Sequence, residues 1–367
     1  HTCSRTHSYT HFFCTMESVV FESGHRDVVH DAKLDYYGKR LVTASADHSI
    51  GVYEIQTSHD SGQDNNILSA TLLGHEGPVF RVDWAHPRFG VLVGSCGYDN
   101  KVIVWQEQNP GCWVQIFEDD RCDAAITSLQ FAPQMFGLIL AASCADGNVY
   151  TWTYQMVQHD SGTLHTWVRE SFFAHHGGAF ALSWGPETIN PTTNVFNASG
   201  EAGAVAGVDG IQQLDTASDT SDLVCRLVTG GADNTIRMWM YDTTLPCITA
   251  DGYSVTGTWI EAQRWNKDSS TIDTNVHHGW IRDVSWSNIA SDGTSYIATC
   301  GEDGVVCIWC ENENGFWDRV ASIAIEDGKP YRVNWSITAD ILSVSVGSKS
   351  VHMYKQQGLD WLLVNRS

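Results

Sequence analysis

The amino-acid sequence predicts an all-β fold, a β-propeller of six four-stranded blades, and three observations predict it. An Asp stands six residues before an aromatic side chain at five places along the 367-residue chain, with β-branched or apolar residues between. An apolar stretch ending in an aromatic precedes most of these pairs. The composition, with 32 Gly and 15 Trp against 8 Pro, suits many short strands joined by tight turns.

The five pairs are Asp47 and Tyr53, Asp99 and Trp105, Asp146 and Trp152, Asp233 and Trp239, and Asp303 and Trp309. A sixth copy, Ser348 and Tyr354, keeps the spacing without the acid. The preceding apolar stretches end at Trp84, Phe131, Trp184, Trp286 and Trp335, and the first copy departs, with Asp35 there. His75, His175 and His277 each lie nine residues before that aromatic, and His25 lies ten before Asp35. Thr43, Ser95, Thr229 and Thr299 each stand four residues before a turn Asp.

In a WD-type blade these four positions form one buried hydrogen-bonded chain. The His enters from the connecting loop, the Ser or Thr lies on the second strand, the Asp in the turn and the Trp on the third strand. Buried polar groups persist when satisfied, and a complete network fixes register. Blades one, two, four and five carry the set, with Tyr53 replacing Trp in blade one. Blade three has Cys122 and Ala142 in place of its His and Ser/Thr, and blade six has Glu326, Val344 and Ser348. Blade six is therefore expected to hold by packing alone.

Successive turn positions are separated by 52, 47, 87, 70 and 45 residues. A WD repeat needs about 40–45 residues, so the long interval could conceal an extra blade. Its excess lies in Glu187–Asp222, which is polar, rich in small residues and devoid of Trp, and reads as a flexible surface insertion between two strands. The next interval holds TWIEAQRW, an outer strand, and then a polar loop. Six blades result, near 25–73, 74–120, 121–172, 173–274, 275–325 and 326–365, in one domain over 16–365. Residues 1–15 are expected to be a disordered segment upstream of a natural start at Met16.

Composition and motifs argue against several function classes. A formal charge of −22 repels phosphate backbones and anionic membrane surfaces, which disfavours nucleic-acid binding and unaided membrane docking. No run of about 18 apolar residues is present to insert into a bilayer. Eleven Cys are scattered, and Cys307 and Cys310, although at CxxC spacing, fall on one strand, Val305–Glu311, where alternation sends them to opposite faces. Reduced, packed thiols are expected. The His–Ser/Thr–Asp sets resemble a hydrolytic triad in composition, but a triad occurs once, in a cleft, whereas these recur blade after blade. The pairs His175–His176 and His277–His278 are adjacent on a strand and cannot easily chelate together. No phosphate-cradling glycine motif occurs, and WDR at Trp317–Arg319 is out of blade position. No catalytic residue, metal or cofactor is expected.

Whole segments then resemble one family. HRDVVHDAKLDYYGKRLVTASADHSIGVYEI at 25–55 is similar to the first blade of the Sec-thirteen family, the small WD-repeat subunit of the COPII vesicle-coat cage. GHEGPVFRVDWAHPRFGVLVGSCGYDNKVIVW at 74–105 resembles its second blade, APQMFGLILAASCADGNV its third, HHGWIRDVSW its fifth, and WSITADILSVSV at 335–346 its sixth. The likeness runs over nearly all of 17–365 apart from the 187–222 insertion, which is longer and more polar than usual. Ser348 also departs from the family's Asp.

The resemblance implies an open six-blade propeller that a partner completes by donating a seventh blade in trans. The implied partners are a Sec-thirty-one-type rod protein in the coat and a nucleoporin of the nuclear pore Y-complex. The implied places are the cytoplasmic side of endoplasmic-reticulum membranes, COPII vesicles and nuclear pores. By position, Val19, Val20 and Phe21, Tyr53 in blade one, and Val351, Tyr354 and Trp361 in blade six are expected to meet the partner. The alternatives are the paralogous Y-complex propeller, which HHGWIRDVSW disfavours, another WD-repeat adaptor such as a nutrient-signalling scaffold, and an enzyme built on a propeller.

Overall fold

The computed structural model describes residues 23–55, 67–159, 162–188, 224–244, 247–248, 254–255, 257–262, 277–312, 315–347, 350–358 and 360–366. They form six four-stranded antiparallel sheets in which the strands pair in chain order. Blade one comprises β1 (Val29–Leu34), β2 (Arg40–Ser45), β3 (Ser49–Glu54) and β4 (Ile67–Leu73). Blade two is β5 (Val79–Trp84), β6 (Leu92–Gly97), β7 (Val102–Asn109) and β8 (Cys112–Asp119), and blade three is β9 (Ile126–Phe131), β10 (Ile139–Cys144), β11 (Asn148–His159) and β12 (Gly162–Phe173). Blade four contains β13 (Ala179–Trp184), β14 (Arg226–Gly231) and β15 (Ile236–Asp242), then a small β16–β17 ladder (Cys247–Ile248, Ser254–Val255), then β18 (Thr258–Glu261). Blade five is β19 (Ile281–Trp286), β20 (Tyr296–Gly301), β21 (Val305–Glu311) and β22 (Trp317–Ala324), and blade six is β23 (Pro330–Trp335), β24 (Ile341–Val346), β25 (Ser350–Gln357) and β26 (Asp360–Arg366). The 187–222 insertion leaves the fold between β13 and β14, and most of it lies outside the described residues.

The second strands of the inner blades are apolar and built largely from small residues because each is sandwiched between neighbouring sheets; β6 and β20 are buried along their whole length. Five apolar clusters fill the five junctions from blade one to blade six. Alternation along β21 divides Cys307 and Cys310 between two of them, Cys307 against blade four and Cys310 against blade six. The turn after each Asp needs a left-handed residue, and His48, Asn100, Gly147, Asn234 and Gly304 all have φ between 63° and 96° there.

Four blades bring their polar set together. His75 places Nδ1 2.9 Å from the Asp99 carboxylate and Nε2 2.8 Å from Ser95 Oγ, and Trp105 Nε1 donates to the same hydroxyl at 3.0 Å. His175 meets Asp233 at 2.9 Å and Thr229 at 2.8 Å, with Trp239 on Thr229 at 3.0 Å. His277 meets Asp303 at 3.0 Å and Thr299 at 2.9 Å, with Trp309 at 3.4 Å. In blade one His25 meets Asp47 at 3.0 Å and Thr43 at 2.7 Å. An ionised Asp only accepts, so Nδ1 carries the proton, Nε2 accepts from the hydroxyl, and the hydroxyl accepts from the indole. The Asp also binds the backbone N–H after the His, at 2.9 Å for Glu76 and His278.

Several expectations are corrected in detail. His175–His176 and His277–His278 lie in the loops before β13 and β19, not on strands, and the second His of each pair serves the network through its backbone. In blade one the register pairs Leu34 with Leu41 as Trp84 pairs with Val93, so Leu34, not Asp35, holds the aromatic's place, nine residues after His25. Asp35 instead accepts the Lys39 and Arg40 N–H groups of the turn. Tyr53 takes the Trp place by laying its ring over Gly51, where a Cβ would collide with it, and its hydroxyl donates to the Ser23 carbonyl.

Blade three replaces its missing set with Asp119, a fully buried carboxylate at the end of β8. Asp119 accepts Trp152 Nε1 at 2.8 Å and is paired with Arg121 at 2.7 Å, while Asp146 accepts the Tyr150 hydroxyl at 2.8 Å. Blade six, expected to lack polar ties, keeps several, with His352 3.4 Å from the Tyr354 hydroxyl and 3.8 Å from Asp327. Ser348 lies outside the described residues.

Along the axis, the first strands of neighbouring blades lie side by side from blade one through blade six. Blades three and four place only Ser128 and Ala181 at the third position of these strands. Arg81 of blade two therefore reaches across to Asp283 of blade five, at 2.6 Å, with both side chains buried. Asp31 and Arg332, from blades one and six, lie 4.0 Å and 3.8 Å from this pair.

Arg81→Leu should lower unfolding free energy by about 3 kcal/mol, because it strands a buried carboxylate; urea denaturation measures this, and an unchanged midpoint would remove the axial pair from what holds the ring. The blade network adds a pH dependence. Burial holds His277 below its ordinary value of 6.5, against the pull of Asp303. Burial pushes Asp303 up, but hydrogen bonds from the His278 N–H and from His277 more than offset this and leave it below its ordinary 3.8. The unfolded chain thus binds protons that the folded chain does not, first below about pH 6.5 and then below about pH 4, and stability must fall as pH drops through each range. His277→Gln should be less stable at pH 7 by about 2 kcal/mol and show a shallower loss between pH 6.5 and 5 in thermal melts; an equal slope would contradict a neutral, buried His277.

Candidate partner interface

The first strand of every blade is a sheet edge facing the axis, so its fourth and sixth backbone N–H groups have no partner within the sheet. The preceding blade supplies one for each of blades two to six. Val82 N–H donates to the Asp31 carboxylate at 3.3 Å, Phe131 N–H to Asp83 at 2.8 Å, Trp184 N–H to the Gln130 amide oxygen at 3.0 Å, Trp286 N–H to Ser183 Oγ at 3.0 Å, and Val333 N–H to Asp283 at 3.0 Å. Indole N–H groups add a second tie at three junctions: Trp84 to the Lys33 carbonyl, Trp184 to the Gln130 carbonyl and Trp335 to the Ser285 carbonyl, each at 3.0 Å. Among the described residues no bond of either kind joins blade six to blade one.

The two faces that would meet there are bare. Val29, Ala32 and Leu34 are exposed on β1, and Leu34 is 56% exposed, whereas the residues matching Ala32 in the other five blades are 0–4% exposed (Val82, Leu129, Leu182, Val284, Val333). On blade six Ser343 is half-exposed, where its counterparts Val42, Ala141, Val228 and Ala298 are fully buried against the following blade. Asn334 is exposed, and Val351 and Met353 are half-buried on the same side.

The residues expected to meet a partner divide accordingly. Val19, Val20 and Phe21 lie outside the described residues. Tyr53 is buried within its own blade's network. Tyr354 and Trp361 are corrected: both pack into the junction with blade five, Trp361 edge-on to Tyr296 at 5.7 Å, because bulky aromatics on β25 and β26 fill the gap between two sheets that are both present. Val351 alone of the described candidates faces the bare side. The residues missed were Ala32, Leu34 and Asn334. Their signal was available in the aligned first strands, where blade one alone places no aromatic at the sixth position.

A depression of about 370 Å³ at one end of the axis is lined by Asp83, Trp84, Gln130, Phe131, Trp184 and Trp286, among others. Burial pushes the Asp83 carboxyl up to about 6, with Lys33 and the Phe131 N–H partly opposing. A shifted carboxylate in a pocket is what an enzymatic reading would need. Asp83, however, already holds the junction of blades two and three, and His86 in the same lining accepts the Arg88 N–H of a turn through Nδ1. Among the described residues, no group of three or more His, Cys, Asp or Glu side chains is arranged to hold a metal ion, and no helix is long and apolar enough to cross a membrane.

Comparison with known proteins agrees with this geometry. The WD domain, G-beta repeat, matches residues 16–54, 66–106, 203–240 and 268–310; these segments end in blades one, two, four and five, which hold the complete His-to-Asp sets. Protein transport protein sec13 of Emericella nidulans is 32% identical over 347 residues, covering 92% of this chain and 94% of its own length. Protein SEC13 homolog of Drosophila melanogaster is 31% identical over 348 residues, covering 94% and 82%. Protein transport protein SEC13 of Cryptococcus neoformans is 30% identical over 369 residues, covering 95% and 96%. With six four-stranded blades, a repeated polar set in four of them and relatives matched over nearly their full length, the chain belongs to the Sec13 (Sec-thirteen) family of protein-transport WD-repeat propellers.

Proposed function

We propose that this chain is a non-enzymatic scaffold of the COPII coat cage in endoplasmic-reticulum-to-Golgi transport, with a second place in the nuclear pore Y-complex. Residues 16–365 act as one propeller with a surface insertion at 187–222. Its ring is open, and a partner (a Sec-thirty-one-type rod protein in the coat, a Y-complex nucleoporin at the pore) inserts a seventh blade between blades six and one. It works at the cytoplasmic side of endoplasmic-reticulum membranes and on coated vesicles, and also at nuclear pores, without entering the bilayer.

The observation that carries this reading is β1, whose edge and outward face are bare where every other first strand is covered. Such an edge invites a strand from another chain, and the backbone then supplies affinity while side chains supply specificity. An inserted blade meets sheet on both sides, so the interface should exceed ~2,000 Å² in total. Val351 contributes from blade six, and Val19, Val20 and Phe21 from ahead of blade one. The charge of −22 supports a protein partner over a phosphate-rich one.

Met16–Ser367 expressed alone should melt at low temperature. Adding the blade-forming segment of a Sec-thirty-one-type rod protein at about 100 times its Kd should raise stability by about 2.7 kcal/mol, read as an upward shift in the thermal melt. No shift at saturation overturns blade donation.

A further inference from the structure

Resting on that open-ring reading, we infer that the incoming blade is recognised by the same edge bond that joins the other blades. Asn334 takes a backbone N–H of the incoming first strand, and that strand returns a hydrogen-bond-accepting side chain to the N–H of Ala32 or of Leu34. The partner's first strand must therefore carry Asp, Asn, Gln or Ser at its third or fifth position.

Aligned by their pairing with the second strands, the third positions of the six first strands are Asp31, Arg81, Ser128, Ala181, Asp283 and Arg332, and the fifth are Lys33, Asp83, Gln130, Ser183, Ser285 and Asn334. Each of the five observed junctions uses an acceptor from one of these two positions. Asp31 and Asp283 act from the third, on the fourth N–H of the next strand. Asp83, Gln130 and Ser183 act from the fifth, on the sixth N–H. In blades one and six the choice is forced, because Lys33 and Arg332 are cations that cannot accept. Blade one consequently uses Asp31. Blade six has Arg332 at its third position, directed at the axis 3.8 Å from Asp283, so Asn334 is its acceptor.

Asn334 is exposed and makes no side-chain hydrogen bond within the described residues, although its neighbours Val333 and Trp335 are both tied to blade five. Its carbonyl, at the place where the Lys33, Gln130 and Ser285 carbonyls accept an indole, here accepts Ser343 Oγ at 3.1 Å. At the other end, Ala32 and Leu34 share register with Val82 and Trp84, so their N–H groups point to the axis side, with no acceptor for them among the described residues.

The test titrates the full chain with the rod-protein blade segment by calorimetry and melts the free chain alongside. Asn334→Leu should bind roughly tenfold more weakly, the loss of one net hydrogen bond, with the free chain's melting temperature unchanged. Asn334→Ser and Asn334→Gln should stay within about threefold of the parent, since Ser183 and Gln130 do this work at other junctions. Parent-like binding by Asn334→Leu overturns the inference alone. A lowered melting temperature of free Asn334→Leu overturns it in favour of the chain's own N-terminal residues filling the gap, and concentration-dependent melting in favour of a second copy. Failure of the parent chain to bind the segment sinks the open-ring reading and this inference with it.

Discussion

Every blade of this propeller presents to the axis a strand edge whose backbone N–H groups its own sheet cannot satisfy, and in blades two to six a side chain from the blade before supplies an acceptor for one of them. An unsatisfied amide held away from water costs about 1–3 kcal/mol, comparable to a large fraction of a domain's stability. The five junction bonds, from Asp31 to Val82 through Asp283 to Val333, therefore do more than decorate packed sheets. They set the order and spacing of the blades, because each acceptor reaches its donor only when the two first strands lie side by side.

The remaining features follow from this constraint. Junction bonds need neighbouring blades at fixed rotation, which the His-to-Asp sets help supply by tying the loop before each blade to the turn between its second and third strands. Where the set is missing, another polar arrangement appears: Asp119 with Trp152 in blade three, His352 between Tyr354 and Asp327 in blade six. Across the axis, Arg81 and Asp283 join blades two and five directly, possible because Ser128 and Ala181 leave the channel room. Such a tie across the diameter helps the ring hold its curvature.

Much of the chemistry was legible beforehand, for identifiable reasons. Ser95, Asp99 and Trp105 could be assigned to one network because their offsets recur unchanged in four blades, and His75 because it stands nine residues before the aromatic that ends its first strand, as His175 and His277 do. Asp119 could not be assigned in this way. It belongs by sequence to the last strand of blade two and acts in blade three, so no spacing within a repeat discloses it. Leu34 was hidden for a similar reason, since an aromatic marks this position in the other five blades and blade one alone does without one. Tyr354 and Trp361 looked like edge residues because they lie near the chain end, yet β25 and β26 turn those side chains back toward blade five.

What the sequence by itself determined is the number and kind of blades, the turns between them and the four residues that tie each complete set, since strand alternation, turn conformation and short-range hydrogen bonding depend on residues close along the chain. What only the tertiary structure decided is which faces of the blades remain bare. Burial of Val82 or Leu182 and exposure of Ala32 depend on whether a neighbouring sheet is present, which the missing aromatic at Leu34 accompanies but does not decide. That neighbour is placed by the summed rotations of all six blades about the axis, a quantity to which every junction contributes and which no single segment encodes.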